Sequence, residues 1–270
     1  KALFEVRGGE FGADRPEKPN GTGPRFEDVV TLLVRGANRD YEQTLRRDQL
    51  FGSFSYFTHG RLGNHSFRGG GELFRQMETE TWRKSYAGDV LHVLSNGEAS
   101  EVYLFQTPSG SANGLWTYGG FASDSWSVTR RLTLNLGLRF DRYRVFLPEQ
   151  FHPAGRFNSE PRTFAAVDDV IDWNVIVPRI GGIYDLSRDG RSLLKFSYGS
   201  YSFAPGSDFS ANANTSVWWQ RFHWVDLDGD GFWQPGEETG KALDAPGGAA
   251  PDSVDPRLKL PLLREVGAGF

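Results

Sequence analysis

The sequence has no cysteine among its 270 residues, so neither disulfide bonds nor thiolate metal sites hold the chain together. It also has no apolar run near the roughly 18 residues that a membrane-spanning helix needs. There is no excess of positive charge, since the net charge is −4, and this argues against a nucleic-acid partner. These absences exclude a helical membrane protein. They do not exclude a membrane barrel, because only alternate residues of a barrel strand face lipid.

Glycine and aromatic residues are abundant. The chain has 33 Gly, 8 Trp, 9 Tyr and 21 Phe. Aromatic residues are enriched in strands and glycine marks turns, so the composition predicts an all-β fold with many connections.

One segment shows the predicted strand pattern clearly. In residues 130–146, apolar side chains alternate with polar or small ones over nine positions. The apolar face consists of Leu132, Leu134, Leu136, Leu138 and Phe140. Nine residues of strand are about 30 Å long, which, when the strand is tilted, matches the roughly 25 Å apolar band of an outer-membrane barrel. Strands of soluble proteins are typically about 5 to 6 residues long.

The spacing of the other segments supports a barrel. Eight strands are predicted, at residues 2–9, 43–58, 65–77, 114–127, 131–146, 173–186, 191–204 and 262–270. The long connections between them are 10–42, 78–113, 147–172 and 205–261, with one further strand predicted near 101–107. Short and long connections alternate, as they do between the two sides of an outer-membrane barrel. The sequence thus predicts an antiparallel up-and-down transmembrane barrel with long extracellular loops, including 205–261.

The longest connection contains a calcium-type motif. Counting from Asp226, aspartates occupy positions 1, 3 and 5, glycine position 6 and glutamate position 12, as in an EF-hand loop. The predicted ligands are Asp226, Asp228, Asp230, the carbonyl of Phe232 and a bidentate Glu237, which together suit one structural Ca²⁺ ion. No helix is predicted on either flank. The alternative is an ordinary polar turn, because Asp and Gly dominate such turns as well.

Tryptophans surround this motif. Aromatic side chains stack on sugars and on apolar ligands, so Trp218, Trp219, Trp224 and Trp233 are candidate ligand-binding residues. The alternatives are local packing within a large loop and contact with the membrane interface. The five histidines are scattered, and no G-x-S-x-G nucleophile motif occurs. The sequence therefore indicates a protein that is not an enzyme.

Two hairpins resemble a known family. The first is YGGFASDSWSVTRRLTLNLGLRFDRY at residues 118–143, and the second is VPRIGGIYDLSRDGRSLLKFSYGSY at residues 177–201. Both resemble the barrel of TonB-dependent outer-membrane receptors, specifically the Oar-like group. The resemblance implies a bacterial outer-membrane protein in contact with lipid. It also implies TonB-energised import of a scarce or bulky nutrient, through a 22-stranded barrel with a plug. With no plug recognisable, residues 1–270 are interpreted as an internal segment of such a barrel.

Two other functional classes remain as alternatives. One is a secreted or surface β-domain whose calcium loop supports adhesion or glycan binding. The other is a calcium-dependent polysaccharide hydrolase, for which no acid–base pair is evident. The alternating connection lengths and the nine-residue apolar face favour the barrel over the secreted or surface β-domain.

Overall fold

The computed structural model describes residues 1–60, 62–206, 218–244, 255 and 257–270. Within these ranges the protein consists of strands and one short 3₁₀ turn, η1 (Ala87–Asp89). The strands are β1 (Ala2–Glu17), β2 (Arg25–Asp28), β3 (Val34–Arg35), β4 (Asp40–Gly60), β5 (Gly63–Lys84), β6 (Val90–Ser95), β7 (Glu98–Phe105), β8 (Ser109–Ser127), β9 (Leu132–Leu147), β10 (Gln150–His152), β11 (Arg162–Phe164), β12 (Val167–Asp185), β13 (Leu193–Ser202), β14 (Trp219–Trp224), β15 (Glu238–Asp244) and β16 (Leu262–Gly269). No described helix has the length and apolar content needed to cross a membrane.

Eight long strands form the main sheet. Their order is β1-β4-β5-β8-β9-β12-β13-β16, and every neighbouring pair is antiparallel. These are the eight strands that the sequence predicts, and the up-and-down all-β topology is confirmed. Consecutive strands of the main sheet are neighbours. The four long connections therefore all lie at one end of the strands, and the short connections lie at the other end.

The two faces of the main sheet differ in chemistry. On β9 the exposed Leu136, Leu138 and Phe140 point to one side, called here the outer face, and their cross-strand partners on β12 are Ile180, Pro178 and Ile176. The register extends this apolar surface across the sheet. Its other exposed members include Phe4, Val6, Leu50, Phe54, Tyr56, Phe67, Leu73, Leu194, Phe196 and Val266. A wide apolar surface of this kind is what a barrel presents to lipid.

Several strands are longer than the apolar pattern predicts. Strand β1 continues to Glu17 and β5 to Lys84, well beyond the predicted ends at residues 9 and 77. The extensions carry polar cross-strand contacts in place of apolar ones. Arg46 bonds Asp14 at 2.9 Å, and Arg83 pairs with Glu42. Strand pairing therefore continues after the alternation of apolar residues has stopped, which is why the sequence pattern placed the strand ends too early.

Pro178 lies where one ladder ends. The β9–β12 ladder runs through Pro178, which is opposite Leu138. The β12–β13 ladder begins only at Arg179, the next residue. Proline has no amide hydrogen to donate, so it is tolerated at Pro178, where the ladder between β12 and β13 stops.

The long connections build a second, smaller sheet. Its order is β15-β14-β7-β6-β2-β3, and it draws two strands from each of the connections 18–39, 85–108 and 203–261. Strand β7 confirms the extra strand predicted near 101–107. The pairing of β2 with β6 is parallel, whereas the other pairings are antiparallel. Among the described strands, β10 and β11 from the connection 148–166 pair only with each other.

Each face of the small sheet carries an apolar cluster. Val90, Val102, Leu104 and Trp224 form one cluster, and Phe222 and Trp233 pack against it. Leu91, Val93 and Phe105 form the second, with Tyr86, Tyr103, Trp218 and Trp219 packed around it. The small sheet is therefore a folded unit with its own core, and it positions the candidate site.

Candidate functional site

The acidic loop joins two strands of the small sheet. Trp224 at the end of β14 lies opposite Glu238 at the start of β15, and the Val225 amide donates to the Glu237 carbonyl at 3.1 Å. The loop therefore closes a β-hairpin, and strands stand where an EF-hand has helices. Within it, carboxylate oxygens of Asp226, Asp228 and Glu237 lie within 4.8 Å of one another.

Glycines allow the sharp turns of the loop. Gly229 and Gly231 both have φ of +78°, a left-handed conformation that glycine adopts without strain. Their amides donate to the two carboxylate oxygens of Asp226, each at 2.9 Å. The loop thus turns back around the Asp226 carboxylate.

Glu237 is fixed from three directions. Its side chain accepts hydrogen bonds from the Leu227 amide at 3.0 Å, the Gln234 amide at 2.9 Å and the Trp224 indole at 3.2 Å. The residue is only 5% exposed. These donors, the Leu227 amide foremost, hold the pKa of Glu237 below its ordinary value, so the carboxylate is ionised at neutral pH.

The two remaining predicted ligands lie at the edge of this arrangement. Asp230 is not part of the three-carboxylate cluster. It accepts the Phe232 amide at 2.7 Å and the Gln234 side-chain amide at 3.0 Å. The same Gln234 nitrogen donates to Asp228 at 2.8 Å. The neutral side-chain amide of Gln234 therefore bridges the carboxylates of Asp228 and Asp230. Among the described residues, neither carboxylate has a basic side chain within 4.0 Å.

The charge of the loop fits a hard cation. Among the described residues, no Lys or Arg side chain lies within 4.0 Å of the carboxylates of Asp226, Asp228, Asp230 or Glu237. Asp228 raises the pKa of Glu237 through like-charge repulsion, against the larger effect of the hydrogen bonds. Calcium prefers several carboxylate oxygens of this kind. The donor set therefore suits Ca²⁺.

The four candidate tryptophans lie on opposite faces of the small sheet. Trp224 is 2% exposed and packs in the core next to the acidic loop, while Trp233 donates its indole N–H to Glu238 at 3.0 Å. Trp218 and Trp219 lie half-buried against the other cluster. Trp218 also contacts Trp82 of the main sheet, with ring centroids 4.9 Å apart. The structure thus does not bring the four residues together.

Asp28 is a structural residue that the sequence did not reveal. Its carboxylate accepts four backbone amides, from Val30 and Thr31 at 2.9 Å, Asn96 at 3.2 Å and Gly97 at 2.6 Å. These bonds, from Thr31 first, lower the pKa of Asp28 to about 2. The residue joins two separate connections, and no local motif marks it because half of its donors are nearly 70 residues away in sequence.

The inner face of the main sheet carries a charged network. Arg139 contacts both Glu72 and Asp141, and Asp141 is only 2% exposed. Towards the long connections the same face is apolar, with Leu115, Tyr143, Val145, Ile171, Val175 and Val177 in one cluster.

Comparisons with known proteins agree with this geometry. A family model described as an outer membrane beta barrel domain matches residues 31–264, which is most of the chain. The chain is also 28% identical over 192 residues to the TonB-dependent transporter Oar of Myxococcus xanthus. That alignment covers 64% of this chain and 16% of the relative, so the chain corresponds to about a sixth of the relative's length.

Proposed function

This chain belongs to the outer-membrane β-barrel family, and from that premise we propose that it forms part of the wall of a TonB-dependent importer. Its location is the bacterial outer membrane, and its role is transport and not catalysis. The cargo is a scarce or bulky nutrient, and a plug region elsewhere in the protein couples the barrel to the TonB complex. The relationship to a TonB-dependent transporter, together with the wide apolar outer face, carries this proposal.

The proposal also sets the orientation of the barrel. The four long connections lie at the edge where β1 and β5 extend beyond the apolar surface. Long connections of outer-membrane barrels are extracellular, and short ones periplasmic. The small sheet and its acidic loop then lie at the cell surface, while the outer face contacts lipid. The membership in an outer-membrane family favours this arrangement over a secreted adhesion domain.

Calcium has a structural role in this proposal. Binding of Ca²⁺ by Asp226, Asp228 and Glu237, supplemented by Asp230 and the carbonyl of Phe232, offsets the repulsion among the loop carboxylates. Glu237 also holds Trp224, a core residue of the small sheet, so the ion stabilises the sheet as well as the loop.

Limited proteolysis tests the calcium proposal. The double variant Asp228→Ala/Glu237→Ala is expected to leave the barrel folded but to expose residues 205–261 to protease in the presence of calcium. The matched control, Asp244→Ala, removes an exposed carboxylate at the end of β15 and is expected to behave as wild type. Equal cleavage of the wild type with calcium and with chelator would show that the loop is not a functional metal site.

Trp218 and Trp219 are proposed to contact the imported compound. They are half-buried, and Trp219 lies beside Tyr103 with ring centroids 5.2 Å apart, so an aromatic surface is partly accessible. Trp219→Ala is expected to slow uptake by the full-length protein while the outer-membrane level of the protein stays constant. Unchanged uptake would assign the pair to packing alone.

The import proposal is tested with cells. A strain lacking the full-length protein is expected to leave in the medium a compound that the wild type depletes, and a strain without TonB is expected to show the same defect. If both strains deplete every compound as the wild type does, import is refuted.

A further inference from the structure

The turn between β6 and β7 consists of Asn96 and Gly97. Ser95 pairs with Glu98, so these two residues alone connect the strands. Both have positive φ, +54° for Asn96 and +90° for Gly97. A two-residue turn of this kind needs positive φ at both positions, and Asn-Gly is a pair that adopts it readily. The hairpin therefore depends on a dipeptide that is also chemically reactive.

An asparagine that precedes a glycine can lose its side-chain amide. The glycine nitrogen gives up its proton to water and attacks the Cγ atom of the asparagine side chain. A bond between this nitrogen and Cγ forms, the bond between Cγ and Nδ2 breaks, and ammonia leaves with a proton taken from water. Water then opens the cyclic imide to give aspartate or, when the backbone continues through Cγ, isoaspartate. Glycine favours the attack because it has no side chain to shield its nitrogen.

In this turn the attacking nitrogen is held by Asp28. The Gly97 amide donates to Oδ2 of Asp28 at 2.6 Å, the shortest of the four amide bonds to that carboxylate. The pKa of Asp28, lowered to about 2, keeps the carboxylate ionised at neutral pH. The amide must keep its proton to make this bond, and a nitrogen anion beside a carboxylate is disfavoured by charge repulsion. Asp28 thus opposes the first step of the reaction.

The Asp28 carboxylate is fixed independently of Gly97. Its other oxygen, Oδ1, accepts the amides of Val30, Thr31 and Asn96. The residue is buried among the elements that it joins. One oxygen therefore positions the side chain, and the second is free to hold the Gly97 amide alone.

The chain has two other Asn-Gly pairs, at residues 20–21 and 113–114. The pair at 113–114 lies inside β8, where the ladders to β5 and β9 hold the backbone on both sides. In the pair at 20–21, the Gly21 amide has no hydrogen-bond partner within the described part of the chain. Of the three glycine amides, that of Gly97 is the one held by a carboxylate. The other two pairs therefore serve as references for this one.

We propose that Asn96 is a modification site that Asp28 keeps unmodified, and that loss of the bond from Gly97 to Asp28 converts Asn96 to aspartate and isoaspartate. The conversion places a new negative charge next to Asp28, because the Asn96 amide lies 3.2 Å from that carboxylate. Isoaspartate also adds a backbone carbon atom to a turn of two residues. Both changes destabilise the hairpin that supplies Val102 and Leu104 to the core of the small sheet. Asp28 thus protects the small sheet from chemical ageing, whatever the protein imports.

Peptide mapping of the purified full-length protein, incubated in detergent at mildly alkaline pH, tests the inference. Mass spectrometry and chromatography separate the asparagine, aspartate and isoaspartate forms of the peptide that contains residue 96. The variant is Asp28→Asn, which keeps Oδ1 for its three donors but presents an N–H group to Gly97 in place of Oδ2. The same chain in denaturant gives the rate without protection, and Asn20 is the internal reference in every sample.

In the folded wild type, Asn96 is expected to convert about 10- to 100-fold more slowly than in denaturant, as for a hydrogen bond to a charged group. Asp28→Asn is expected to remove most of this protection and to leave the rate at Asn20 unchanged. Val102→Ala is the matched control, since it weakens the core of the same sheet and leaves Asp28 in place. It is expected to accelerate amide exchange in β6 and β7 but not the conversion of Asn96.

Two results would overturn the inference. One is conversion of Asn96 at the wild-type rate in Asp28→Asn. The other is an acceleration at Asn96 no larger than the acceleration of amide exchange across β6 and β7 in the same variant. That result would assign the protection to the folding of the small sheet as a whole and not to the bond between Gly97 and Asp28.

Discussion

The small sheet is expected to unfold separately from the barrel, and Val102→Ala tests this. Val102 is 0% exposed and lies in β7, at the centre of the cluster formed with Val90, Leu104 and Trp224. The substitution removes two buried carbon atoms and leaves a cavity. The expected cost is about 2–3 kcal/mol, from a transfer free energy of about 0.8 kcal/mol per buried carbon plus a cavity contribution.

Hydrogen exchange measures this cost locally. Exchange of the slowest amides in β6, β7 and β14 is expected to accelerate about 30- to 150-fold in Val102→Ala. Amides in the main-sheet strands β8 and β9 are expected to keep their wild-type rates, because they open in a different unit.

Val34→Ala is the matched control for that experiment. Val34 belongs to the same sheet, in β3, but is 51% exposed, so its truncation is expected to cost less than about 1 kcal/mol. Two observations would refute the reasoning. One is equal acceleration in the main sheet, and the other is an effect of Val102→Ala no larger than that of Val34→Ala.

Three further predictions concern the acidic loop, Asp28 and the outer face. Gly231→Ala is expected to weaken calcium binding about 5- to 30-fold in a titration, because a φ of +78° costs an alanine about 1–2 kcal/mol. The control Gly240→Ala, at a φ of +76° outside the loop, is expected to leave the calcium affinity unchanged. The lowered pKa of Asp28 means that its ionised carboxylate stabilises the small sheet above about pH 4, and this contribution is expected to disappear as the pH falls through about 2. Hydrogen exchange measured against pH is expected to show this loss of protection in the wild type and not in Asp28→Asn. Leu138→Lys, in the middle of the apolar outer face, is expected to destabilise the barrel in lipid by about 2–4 kcal/mol in denaturant titrations, whereas Asn135→Lys, on the inner face, is expected to cost much less.

The main sheet was predictable because its outer face alternates strictly. In β9 the leucines and Phe140 mark both the strand and the side that faces lipid. The strand ends were less predictable, since beyond the apolar surface the ladder is held by pairs such as Arg46 with Asp14, which look like loop residues in the sequence.

The candidate loop was predictable as a motif, and its setting was not. The spacing from Asp226 to Glu237 is local, so the sequence shows it completely. The burial of Trp224 and the four amides on Asp28 depend on pairings between distant connections, which no periodicity records. Calcium binding itself stays a prediction.

The composition of the small sheet has a consequence for how the protein folds. The parallel pairing of β2 with β6 joins residues about 65 positions apart, and the pairing of β7 with β14 joins residues more than 110 apart. Closing such distances early has a high entropic cost, so the small sheet is expected to assemble after the barrel strands have gathered the connections at one edge. The barrel thus acts as the template on which the small sheet assembles. An insertion or deletion that shifts one of the three connections in the small sheet would leave the barrel intact. The other two connections would then lose their pairing partners.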